Sequence, residues 1–78
     1  MNWFKKKVVK NSYSVEVSYL YDKAVITKTV YTNRTKKKAI NFMKLTLEVI
    51  GESSCEWLTL GTITLRRIDF RNLELVKN

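Results

Sequence analysis

Tyr13-Ser14-Val15-Glu16-Val17-Ser18-Tyr19-Leu20-Tyr21 is the stretch on which the fold turns. Its odd positions are aromatic or valine and its even positions are mostly Ser and Glu, a period of two that marks a strand with one buried face. Asp22-Lys23 supplies a tight turn. Ala24 to Thr32, rich in Val, Ile, Thr and Tyr, then returns as a second strand and closes a β-hairpin. Ile26 and Val30 alternate against Val25 and Tyr31, so both faces of this second strand are expected to be partly covered. Tyr13, Tyr19 and Tyr21 share the face of Val15 and Val17 and are read as core or rim side chains.

Downstream of the hairpin the period changes. Asn33 or Thr32 is placed to cap a helix that runs to about Ile50, and Gly51 offers the left-handed stop. At about 100° per residue, Ala39, Ile40, Phe42, Met43, Leu45, Leu47, Val49 and Ile50 spread over roughly 220° of this helix, leaving Asn41, Lys44 and Glu48 on a narrow polar side. That arc is wider than one sheet face needs. Either the N-terminal or C-terminal segment also packs on the helix, which is the favoured reading, or an exposed strip docks a partner or a second copy. After a polar loop, Glu52 to Glu56, the segment Trp57 to Phe70 reads as one strand bent at Gly61. Arg71-Asn72 reads as a turn, and Leu73 to Val76 as a last short strand pairing back on it. The expected architecture is α+β: a small single domain of order ββαββ, with one helix packed on one face of an antiparallel sheet. It divides into a basic segment 1–11, the hairpin 12–32, the helix 33–51 and the C-terminal strands 56–77.

The 78 residues fit one compact domain, and 45% hydrophobic content argues against a disordered basic tail. Cys55 alone forms no intrachain disulfide, which points to a reducing, cytoplasmic setting. Val8 and Val9 are too short an apolar run for an export signal, and no stretch approaches a membrane span. Asn2 after the first Met does not match a myristoylation motif. The Asn33-Arg34-Thr35 tripeptide matches a glycosylation pattern but has little meaning without a secretory signal.

Histidine is absent, which removes the commonest general base and metal ligand. Gly51 and Gly61 stand too far apart for a phosphate-binding glycine loop. Glu48, Glu52 and Glu56 recur every four residues but are read as solvated, and Cys55 has no histidine to activate it. These features point to a protein that is not an enzyme and takes no cofactor and no metal.

The informative feature is the charge. Against 7 acids stand 15 Lys and Arg, a net charge of +8 with a pI near 9.8. Residues 1–40 hold ten of the basic residues with only Glu16 and Asp22 as acids, whereas residues 41–78 hold five of each sign. The excess clusters as Lys5, Lys6, Lys7 and Lys10, and again as Arg34, Lys36, Lys37 and Lys38 at the helix start. A helix N-terminus carries partial positive charge, so each exposed cation there costs about 0.3–1 kcal/mol. With Glu48 and Glu52 at the other end, this helix has its charges reversed. Free N–H groups beside four cations suit a phosphate or another anion. Arg66, Arg67 and Arg71 are candidates to extend the basic surface from the far strands, with neutralisation by the nearby Asp69 and Glu74 as the alternative.

The leading expectation is therefore a nucleic-acid-binding domain that contacts the phosphates of DNA or RNA with low sequence specificity. The alternative is a protein-binding module, an adaptor or inhibitor that docks on an acidic partner surface or homodimerises, a profile shared by compact proteins of phages and mobile elements. Membrane association through Trp3 and Phe4 is disfavoured because the anchor is short.

Overall fold

The computed structural model describes residues 12–52 and 54–78. Its elements run β1 (Tyr13–Tyr21), β2 (Ala24–Asn33), α1 (Lys36–Glu52), β3 (Trp57–Leu60), β4 (Ile63–Arg66), a 3-10 turn (Arg67–Asp69) and β5 (Phe70–Lys77). The fold is α+β as expected, and the order is ββαβββ. The strands form a three-stranded antiparallel sheet, β2-β1-β5, and a separate two-stranded sheet, β3-β4.

β1 is the centre. Its alternation drives Val15 and Val17 to 0% exposure, while Ser14, Glu16 and Ser18 turn to the opposite face. On that face the Ser18 and Thr27 hydroxyls lie 3.0 Å apart and the Asn78 amide donates to the Ser12 and Ser14 hydroxyls, both at 2.9 Å. The tight turn forms at Asp22 and Lys23, both with left-handed φ (54° and 70°), as a two-residue hairpin loop requires. Each pairing of β1 absorbs one extra residue. Val15 faces Tyr31 and Glu16 faces Thr29, which leaves Val30 as a bulge on β2; Ser18 faces Asn72 and Tyr19 faces Phe70, which leaves Arg71 as a bulge on β5.

α1 and the β3-β4 hairpin bury their apolar sides in one cluster with the sheet: Ala39, Leu58, Leu60 and Leu65 join Val15, Val17, Val30 and Leu73. Tyr13, Tyr19, Tyr31, Phe42, Met43, Ile50 and Phe70 pack around it half-buried. Tyr31 and Phe42 tie β2 to the helix as a stacked pair, with centroids 4.4 Å apart. Tyr13 and Tyr19 are thus rim residues, while Tyr21 at the hairpin end is 64% exposed.

Four local expectations are corrected. The segment 57–70 is two strands, because Gly61 adopts a φ of +65° and the chain reverses there, pairing Leu60 with Ile63. A Cβ on Gly61 would lie 2.3 Å from the Val30 carbonyl oxygen, so the turn is also pressed against β2. No turn forms at Arg71-Asn72: Arg71 is the bulge of β5 and Asn72 pairs with Ser18, and that strand pairs with β1, setting Leu73 and Leu75 opposite Val17 and Val15. Gly51 does not stop the helix; it lies inside it without left-handed φ, and near that end the Ile50 carbonyl accepts from the Arg67 guanidinium. The cap is also shifted: Asn33 Oδ1 accepts from the Thr35 backbone N–H at 2.9 Å, and Thr35 O accepts the first helical bond, from Ala39 N–H at 3.2 Å.

The apolar arc of α1 is only partly covered. Leu45, Leu47 and Val49 remain 62%, 45% and 58% exposed, and the C-terminal segment does not cover them because it is spent in the sheet as β5. The N-terminal alternative, residues 1–11, lies outside the described residues.

The two glycines are expected to respond in opposite directions. Gly61→Ala should destabilise by about 2 kcal/mol or more, from the left-handed backbone and the Val30 contact. Gly51→Ala, with nothing within 4 Å, should stabilise by about 0.5–1 kcal/mol. Urea denaturation of the two variants measures both.

Candidate functional site

The Asn33 turn and the Thr35 carbonyl set the first turn of α1, where the backbone N–H groups of Lys36, Lys37 and Lys38 precede the first intrahelical bond. Arg34, Lys36, Lys37 and Lys38 are all exposed. Among the described residues none of the four has a carboxylate partner; the ion pair there is Arg66 with Glu56. Helical geometry points successive lysines about 100° apart. They form a collar around the helix end, not a convergent pocket. No acid occupies the first turn and no base the last, so the reversed polarity is a property of the folded helix.

The remaining candidates go elsewhere. Arg66 lies at the far end of the β3-β4 hairpin, 2.8 Å from the Glu56 carboxylate and 5.8 Å from the centroid of the exposed Trp57 ring. Its charge is already matched. Arg67 is turned inward: its Nη1 donates to the Ile50 carbonyl and its Nε to the Cys55 carbonyl at 2.9 Å, while its backbone N–H donates to Glu56 O at 2.7 Å. It therefore caps the C-terminal end of α1, the opposite end from the lysine collar. Lys5, Lys6, Lys7 and Lys10 fall outside the described residues.

Other exposed cations, Lys23, Lys28, Lys44 and Lys77, lie outside the basic clusters expected from the sequence. Lys28 stands opposite Val17 in the register, and Lys44 lies on the polar side of α1. Only the β1–β2 register places Lys28, since its own strand carries apolar residues on both faces. Acidic side chains are kept away from the collar. Glu16 and Glu74 oppose each other on the sheet face turned from the helix, and Glu48 and Glu52 are exposed beyond the middle of α1. Among the described residues, no three His, Cys, Asp or Glu side chains group to hold a metal ion, and no helix is long and apolar enough to cross a membrane.

No protein-family model, curated protein or solved structure matches this chain.

Two substitutions separate the charged groups by role. Arg67→Met keeps the apolar stem but removes the donor to the Ile50 and Cys55 carbonyls; because Nη2 is itself buried without an acceptor, the net loss should be about 1–2 kcal/mol in urea unfolding. Replacing Lys36, Lys37 and Lys38 together by Gln removes cations from the positive end of a dipole, so the thermal midpoint should stay level or rise slightly.

Proposed function

We propose that this protein is a non-enzymatic binding domain that engages nucleic acid through phosphate contacts, with little preference for base sequence. The observation that carries the reading is the lysine collar: four exposed cations without carboxylate partners among the described residues, set around free helix N–H groups where they oppose the helix dipole. A sequence under selection for stability alone favours acids there, so retaining cations is the pattern of a surface that meets an anion. A phosphate backbone suits a splayed collar better than a single small anion does, because neighbouring phosphates accept cations that point in different directions. Lys5, Lys6, Lys7 and Lys10 supply further cations to the same partner.

The reading takes residues 1–78 as one domain and places it in the cytoplasm, on the ground that Cys55 alone closes no intrachain disulfide. The second reading, a module that docks on an acidic protein surface, draws support from exposed apolar side chains, chiefly Leu45, Val49, Trp57 and Ile68.

Fluorescence anisotropy with single-stranded and duplex DNA and with RNA tests the first reading. If five or six cations contact phosphate, duplex affinity should fall with salt at a log–log slope of roughly −4.5 to −5.5, and the triple Gln variant should lose about three units of that slope. Absence of binding at low salt would refute it.

A further inference from the structure

Two features of α1 fit poorly in an isolated molecule: its reversed charge and the exposure of Leu45 and Val49, at 62% and 58%. One stripe contains both. At about 100° per residue, Lys38, Asn41, Leu45, Val49 and Glu52 fall within roughly 80° of one another on the outer side of the helix. Their spacing is symmetric about Leu45. Asn41 and Val49 stand four residues to either side, and Lys38 and Glu52 seven residues to either side.

A helix with that symmetry complements itself when reversed. We propose that two copies of this chain associate through the stripe as an antiparallel helix pair, with the two-fold axis passing beside Leu45. The two Leu45 side chains meet at the axis, and each Val49 packs beside it against the partner's Asn41. Lys38 lies beside the partner's Glu52, and the same contact repeats across the axis, as an isologous interface requires. The charge pattern that works against the helix's own dipole thereby becomes complementary between copies. The positive end of each dipole also lies along the negative end of the other. Arg34, Lys36 and Lys37 fall outside the stripe and Lys38 is shared with the collar, so the association itself needs no nucleic acid but draws on one of the collar's four cations. The patch is one helix flank, smaller than the ~800 Å² per partner of a standard interface, so the dimer is weak and concentration-dependent.

Sedimentation velocity on the nuclease-treated 78-residue chain, from micromolar to millimolar concentration, tests the proposal. The parent chain should shift from monomer to dimer across that range. Leu45→Lys should raise the dissociation constant about tenfold or more. Lys38→Glu and Glu52→Lys should each weaken the dimer, and the two together should restore it. General repulsion between chains of net charge +8 predicts otherwise, since Lys38→Glu lowers the charge and by that route alone would strengthen association. All of these side chains are exposed, so circular dichroism should report an unchanged fold for every variant. A monomer at every concentration overturns the proposal, whether residues 1–11 of the same chain cover the strip or nothing does. A dimer indifferent to Leu45→Lys, or a charge-swapped double variant no stronger than the single ones, overturns it equally.

Discussion

The removal of Val15 and Val17 from water at the middle of β1 is the constraint that the other elements answer to. A strand whose side chains alternate so strictly buries one face only if neighbours hydrogen-bond to both of its edges and a second layer lies on that face. β2 supplies one edge through a two-residue turn. β5 supplies the other from the far end of the chain, and this long-range pairing sets Leu73 and Leu75 beside the two valines. The covering layer is composite. α1 takes part of the face, and the small β3-β4 hairpin takes another part with Leu58, Leu60 and Leu65. Burial of each such side chain contributes about 1.5–3 kcal/mol, enough to set the register of a chain this small.

The two ends of α1 are finished by different means. At the start the work is local: Asn33 folds its amide onto the Thr35 N–H two residues ahead, and no acidic side chain is used. At the end it is long-range, since Arg67 reaches back to the Ile50 carbonyl and holds the following loop through the Cys55 carbonyl. A guanidinium at the negative end of a helix is electrostatically favourable. The cation that suits the dipole is thus delivered by tertiary contact from outside the helix, whereas the helix's own lysines crowd its positive end.

That division bears on function. Arg66 and Arg67, which look like continuations of a basic surface, are engaged by Glu56 and by backbone carbonyls. The cations left to solvent at the helix start are those whose position the fold does not exploit. The acids, too, are sorted in space, with Glu16 and Glu74 on the sheet face turned from the helix. The balanced charges on one stripe of α1 and the unbalanced set at its first turn overlap only at Lys38, and the partners proposed for them differ: a second copy for the stripe and a polyanion for the collar.

Elements defined by neighbours in the chain were legible in the residues themselves. The β1 alternation, the Asp22-Lys23 turn, the β2 strand and the helix all rest on short-range sterics and amphipathic spacing; the hairpin forms within a residue of its expected place, and the helix expected over 33–51 starts three residues later and ends one later. The lysine collar was legible as well, because adjacency and the start of a helix were enough to define it. What required the tertiary structure depended on distant partners. Gly61 makes a turn instead of a bend because β2 lies against it. Arg71 forms a bulge in a strand because β1 has an open edge to fill. Gly51 continues the helix, with Arg67 of a remote segment meeting the Ile50 carbonyl at its end. Arg67 itself is indistinguishable from Arg66 by composition, and only the packing decides that one faces solvent while the other caps a helix. Local periodicity thus placed the first hairpin and the helix, and competition for the apolar face and free edge of β1 decided how the C-terminal strands divide and join and which charges remain outside.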